Sequence, residues 1–246
     1  MFEPDGRAIP FVEEGEGPVK VVLLPAQGLS VSSLGTLAHV LEEEGFHLVR
    51  IGVRRGRTDG ATLHDLAQDV VDVMDHIGLV SAWIGGHGFG GALARAVALD
   101  HHDHAEGIIL VGVEGTEPLA DEVAGALADA AEPASLDAAT LLGGAAEPAF
   151  AQAVLTRHRN LDVERVQRAA LAATPAEEWA TLAPNLAILV VQGTADAVST
   201  PANAEALRAS APGRVSLTLV EGAGHLSVLT HPGEVGFAIE DYLAWD

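Results

Sequence analysis

The 246-residue sequence predicts an α/β fold, a mostly parallel sheet flanked by helices and interrupted by a helical insertion. Three observations carry this. Short apolar runs such as VKVVLL (19–24) and GIILVGV (107–113) alternate with amphipathic or alanine-rich stretches of helical length. A glycine cluster joins one apolar run directly to a helical pattern in AWIGGHGFGGALARAVA (82–98). From about 117 to 184 alanine dominates, glycine and proline interrupt, and strand character disappears until 187. Strands that alternate with helices build a parallel sheet covered on both faces. Its chemistry belongs at the carboxyl ends of the strands.

Taken in order, 9–14 reads as a short strand and Gly15-Glu16-Gly17 as a turn. The continuous apolar run at 19–24 is a buried strand, followed by the loop Pro25-Ala26-Gln27-Gly28-Leu29. A helix is expected over 32–44, ended by Gly45, and a strand over 47–52. Thr62 is placed to cap the next helix. Leu63, Leu66, Val70, Val73, Met74 and Ile77 form one face of it, and Asp65, Asp69, Asp72 and Asp75 lie off that stripe. The strand, turn and helix of 82–98 follow, then a strand at 107–113. Short helices are expected at 119–130, 136–142, 149–157, 163–172 and 176–182. The closing elements are a strand at 187–192, a helix at 202–209, a strand at 215–220 and a helix at 232–243. The implied organisation is a core of 1–116 and 185–246 with a helical cap at 117–184.

Composition excludes several classes. Apolar residues make up 48% of the chain, which fits a globular protein. The formal charge is −22 and Lys20 is the only lysine, so nucleic acid and anionic membrane surfaces are not expected partners. The plain reading of the charge is a solvated acidic surface. No run is long enough to span a bilayer, and the N-terminus lacks the pattern of a signal peptide, so a cytoplasmic location is expected. With no cysteine there is neither a disulfide nor a thiolate site. A small-molecule substrate or ligand is the expected partner, with no cofactor and no metal.

The strand ends hold the chemistry. The turn Gly86-His87-Gly88-Phe89-Gly90 has the frame of a nucleophile elbow, in which flanking glycines hold a central serine on a sharp turn. Here the centre is Gly88. Gly193-Thr194-Ala195-Asp196 follows one later strand, and Glu221-Gly222-Ala223-Gly224-His225 follows the next. Elbow, Asp, His is the chain order of a hydrolytic triad on such a sheet. In that set the imidazole takes a proton, while the carboxylate fixes its tautomer and stabilises the imidazolium.

These stretches, GHGFGG (86–91), GTAD (193–196) and GAGHLSVLTHP (222–232), resemble the α/β-hydrolase superfamily in its compact form with a helical cap. RRGRTDG (54–60) is similar to a loop common after the family's fourth strand. The resemblance spans nearly the whole chain. It implies Asp196 as the acid, His225 as the base, and the backbone N–H groups of Phe89 and Leu29 as oxyanion donors. The chain departs from the family at two points. Gln27-Gly28 stands where His-Gly is usual, and Gly88 stands where the serine is usual, so no acyl-enzyme forms at that position. Glycine also suits the strained backbone of an elbow, a conformation that costs other residues about 1–3 kcal/mol.

The same residues admit competing readings. Gly86-x-Gly88-x-x-Gly91 with Glu114 after the next strand matches a dinucleotide fingerprint. That motif normally sits in the first βαβ unit, and it leaves Asp196 and His225 unexplained. His101-His102-Asp103-His104 reads as a polar turn rather than a metal site. Arg54, Arg55 and Arg57 read as structural, although arginine suits anionic groups. His231 reads as structural, and Trp179 as packed, with a pocket-lining role as the alternative. Three functions fit. The first is an enzyme acting on a small, mainly apolar carbonyl compound without a serine nucleophile, by water-mediated hydrolysis or by lyase, isomerase or cyclase chemistry. The second is a serine esterase or lactonase inactivated by replacement of its nucleophile with Gly88. The third is a ligand-binding receptor.

Overall fold

The structure, a computed structural model, describes residues 1–116, 141 and 148–244. Among the described residues seven strands form one sheet: β1 (Phe11–Glu14), β2 (Lys20–Leu24), β3 (His47–Ile51), β4 (Ala82–Gly88), β5 (Ala105–Val113), β6 (Ala187–Gly193) and β7 (Val215–Val220). Their spatial order is β1-β3-β2-β4-β5-β6-β7. Only β1 runs antiparallel, paired to β3 from Phe11↔Ile51 to Glu14↔Leu48; the other neighbours are parallel.

The central strands are apolar over most of their length because both faces are covered, and the period of two sorts their side chains. Val22, Leu24, Ile84, Ile108, Leu110, Ile188 and Val190 enter one core. Val21, Leu23, Trp83, Ile109, Val111, Leu189 and Val191 enter the other. Helices α2 (Leu63–His76) and α3 (Phe89–Asp100) close the first core. Helix α1 (Gly35–Glu43) contributes Leu37, Ala38 and Leu41 to the second, where the C-terminal helix joins it.

Between β5 and β6 the described helices are α4 (Pro148–His158), α5 (Leu161–Ala173) and α6 (Ala176–Trp179). The helices expected at 119–130 and 136–142 lie outside the described residues, apart from Leu141. After β6 come α7 (Pro201–Ser210), the short α8 (Ser227–Thr230) and α9 (Pro232–Leu243). Among the described residues no helix is long and apolar enough to cross a membrane.

Several element bounds differ from expectation for local reasons. The first strand is confined to Phe11–Glu14, the stretch that pairs with β3. The helix expected over 32–44 opens as a 3-10 turn at Val31–Leu34, where the Ser33 N–H and hydroxyl both bond the Ser30 carbonyl. Thr62 caps α2 as expected, in a reciprocal capping box with Asp65.

The order of the strands locates the crevice. From β2 the chain proceeds to β3 on one side and later returns to β4 on the other. Such a reversal opens a cleft at the carboxyl ends of the two strands. The loop of Pro25 to Leu29 and the turn at Gly88 stand there.

Candidate active site

Gly88 ends β4 and caps α3, with φ 51° and ψ −113°. The positive φ belongs to the left-handed region, where a side chain adds strain. A sharp elbow also requires close backbone approach. A Cβ on Gly86 would run into the Gly90 carbonyl, and one on Gly90 into the Leu24 carbonyl. The two flanking glycines therefore let α3 start directly against the end of β2.

His225, on the loop after β7, faces this elbow. A Cβ built on Gly88 would lie 3.0 Å from its Cε1 and 3.3 Å from its Nε2. Asp196, after β6, stands behind the ring, with its Oδ2 3.1 Å from His225 Nδ1. A carboxylate only accepts, so Nδ1 carries the hydrogen and Nε2 is the acceptor nitrogen of the neutral ring. Asp196 Oδ1 accepts the backbone N–H groups of Val198 and Ser199, both at 2.8 Å. The structure thus brings together the three expected residues from three separate loops.

Both partners are buried, and their titration follows. For Asp196, burial opposes the charge. The adjoining His225 and the three hydrogen bonds outweigh it and carry the pKa below the ordinary carboxylate value. For His225, burial opposes protonation, but Asp196 and then Glu114 reverse this and raise the imidazole above its ordinary value. His87, inside the elbow, behaves differently. It is fully buried, its Nε2 donates to the His225 carbonyl, and burial with the nearby His225 ring lowers its pKa to about 3. A neutral His87 thus fastens the backbone of the catalytic-type loop.

The cavity above these residues is lined by Ala26, Gln27, Leu29, Phe89, Leu141, Val198 and Leu226, with Arg159 from the loop between α4 and α5 and Glu164 and Arg168 from α5. Phe89 is the first residue of α3, so its N–H has no partner within the helix. Leu29 lines the cavity, but the donor expected from it is engaged: its N–H bonds the Ala26 carbonyl at 3.1 Å. The reason lies in the segment before β6. Gln167 Oε1 accepts the Gly28 N–H at 2.6 Å, and Leu29 forms an antiparallel bridge with Arg159. These contacts set the loop's shape from more than a hundred residues away.

Sequence reading missed Glu114 as a member of this site. It follows β5 at Val113 and lines the cavity, and its Oε2 lies 3.8 Å from the same Gly88 Cβ position. β5 shifts register there: His87 pairs with Val111 but Gly88 with Val113, and Gly112 between them has φ 68°. The bulge turns the strand end toward the elbow. The available signal was an acidic residue at a strand's carboxyl end, noticed only as part of a dinucleotide pattern.

Other singled-out residues have structural partners. Arg54 is buried and bonds Asp69 and the Asp65 carbonyl. Arg57 donates to the Asp5 carbonyl at 3.0 Å. His102 Nε2 meets the Pro184 carbonyl at 2.9 Å and His104 meets Asp75 at 3.3 Å, on the side of the sheet remote from the elbow. His231 pairs with the Thr230 hydroxyl at 2.8 Å. Trp179 is buried beneath the Arg95 guanidinium, 5.3 Å from its ring centroid, and does not line the cavity.

Comparison with solved structures finds the same fold in other proteins. A carboxylesterase from the thaumarchaeon Nitrososphaera gargenis superposes with a TM-score of 0.80 at 17% identity, covering 99% of this chain and 97% of that one. A thermophilic esterase from Thermogutta terrifontis superposes at 0.74 with 21% identity, covering 96% and 93%. An N-acyl homoserine lactone degrading enzyme superposes at 0.77 with 22% identity, covering 98% of each chain. The model of the alpha/beta hydrolase family matches residues 21–236. With that match over most of its length, the chain belongs to the alpha/beta hydrolase family.

Proposed function

We propose that the protein acts on a small, mainly apolar carbonyl compound through the His225–Asp196 pair, with no serine nucleophile. The observation that carries this is the position of His225 Nε2, 3.3 Å from where a Gly88 Cβ would stand. With no side chain on Gly88, the cavity beside His225 is left to a reacting oxygen against an oriented base. A water seated there gives up a proton to Nε2 as it attacks the carbonyl carbon. The developing oxyanion meets the Phe89 N–H at the positive end of α3. Asp196 stabilises the imidazolium and holds its tautomer. The same base and donor also serve abstraction of a proton beside a carbonyl, the first step of lyase or cyclase chemistry. The apolar lining from Ala26, Leu29, Phe89, Val198 and Leu226 supports an apolar substrate body. The helical segment before β6 is the cap that covers it.

The test is a panel of esters, lactones and thioesters given to the parent, to Gly88→Ser and to His225→Ala. These classes are chosen because structural neighbours are named as esterases and as a lactone-degrading enzyme. Turnover by the parent without an acyl-enzyme burst, reduced about 100-fold or more in His225→Ala, is the expected result. Turnover by Gly88→Ser alone would instead identify a disabled serine hydrolase, and ligand-induced stabilisation without turnover would identify a receptor.

A further inference from the structure

We propose that Glu114 is the general acid of this site, delivering a proton to the departing oxygen while His225 removes one from the attacking water. The proposal rests on the serine-free reading above and adds a second proton-transfer group to it.

Geometry carries it. The Cβ direction of Gly88 runs between the two side chains, its end 3.3 Å from His225 Nε2 and 3.8 Å from Glu114 Oε2. Both residues line the one cavity above the elbow, so a group bound there lies between them. The carboxyl accepts no hydrogen bond from the described residues, and Glu114 lines the cavity. With a serine at position 88, that side chain would occupy the space between the two groups. Gly88 opens it, and the β5 bulge at Gly112 turns Glu114 into it.

The charges around Glu114 support a proton-bearing carboxyl. Burial is the largest influence and raises its pKa; Asp196 on the loop after β6 adds to this. His225 after β7 and Arg95 on α3 act in the opposite sense, and the net direction is upward. Asp196 is displaced the other way. Two carboxyls whose environments drive them apart are suited to two roles, one anionic partner and one acid.

For an ester the steps balance. Water adds to the carbonyl carbon, the new C–O bond forms, and one water proton moves to His225 Nε2. The C–O bond to the alkoxide breaks and the alkoxide takes the Glu114 proton. The imidazolium then returns its proton to the Glu114 carboxylate, restoring both groups.

The test uses ethyl butyrate and p-nitrophenyl butyrate with the full-length parent, Glu114→Gln and His225→Gln. An ethoxide needs a proton to leave, whereas p-nitrophenolate does not. General acid catalysis contributes about 100-fold or more. Glu114→Gln is therefore expected to lose about 100-fold in kcat/KM on the ethyl ester and less than about 5-fold on the p-nitrophenyl ester. Its pH profile should change from a bell to a one-sided rise, because only the His225 ionisation then limits activity. Equal loss on both esters, or no loss on either, overturns the role of Glu114. If His225→Gln abolishes both activities while Glu114→Gln changes neither, the serine-free reading stands alone. If the parent turns over neither ester, the carboxyl is judged by carbon-13 NMR titration. A γ-carboxyl signal absent from Glu114→Gln that titrates above the ordinary glutamate range, coupled to His225, supports a proton-bearing acid; an ordinary midpoint overturns it.

Discussion

At the scale of single residues, Gly88 and His87 show how one turn combines backbone and electrostatic constraints. Gly88 holds φ 51°, and a Cβ there would come within 3.0 Å of His225 Cε1. Gly88→Ser is therefore expected to fold and to lose about 1 kcal/mol, within the range for a side chain in a sparsely populated backbone state. Calorimetry should show a lower Tm by a few degrees; a higher Tm contradicts the strain argument. His87 makes stability depend on pH. Its folded pKa is depressed from 6.5 to about 3, so as pH falls the unfolded chain binds this proton first. Stability contributed by keeping it neutral is present above about 6.5 and is lost as pH falls from there toward 3. Over such a window the slope approaches about 1.4 kcal/mol per pH unit. In His87→Gln, which keeps a donor for the His225 carbonyl, the dependence of Tm on pH between about 6.5 and 4 should flatten. An unchanged slope would place the acid sensitivity in other groups.

Secondary-structure elements acquire their positions from their ends. α2 starts at a capping box in which Thr62 Oγ1 accepts the Asp65 N–H at 3.2 Å and Asp65 Oδ2 accepts the Thr62 N–H at 2.9 Å. Thr62→Ala removes the first of these and should cost about 1 kcal/mol, read as a lower urea midpoint with an unchanged m-value. The α2 cap was legible in the sequence because a cap is a local motif of four residues. The glycine turn before α3 was legible for the same reason. The 3-10 turn before α1 was not, since no periodicity separates a 3-10 opening from the α-helix that follows. Glu114 was not legible as a site residue either. Its direction depends on a register shift between β4 and β5, and pairing register is a property of two strands rather than of one.

Across the whole molecule, buried charge ties distant segments together. Asp69 on α2 accepts Arg7 Nη1 at 2.7 Å and also pairs with buried Arg54, while Arg7 continues to Asp72 at 2.8 Å. Burial raises the Asp69 pKa against the pull of both arginines. Asp69→Ala leaves the Arg54 guanidinium buried without its carboxylate, so a loss of about 3–5 kcal/mol is expected in urea unfolding. Asp72→Ala, at a more exposed pair, should cost about 1 kcal/mol or less. Equal losses would mean that the Arg54 partner contributes little.

By itself the sequence determined the alternation of strands and helices, the glycine-framed elbow, and the positions of Asp196 and His225 at the ends of neighbouring strands. Each is a consequence of local period or of a short motif, and local patterns survive in a linear reading. Tertiary structure alone decided three further matters. It turned Glu114 toward His225 through the bulge at Gly112. It engaged the Leu29 N–H with the Ala26 carbonyl, while Gln167 took the Gly28 N–H across 139 positions of sequence. It joined Arg7 to Asp69 across 62 positions. Directions of side chains and the partners of loop amides depend on which strands pair and which helices cover them, and such contacts leave no periodic trace in the chain.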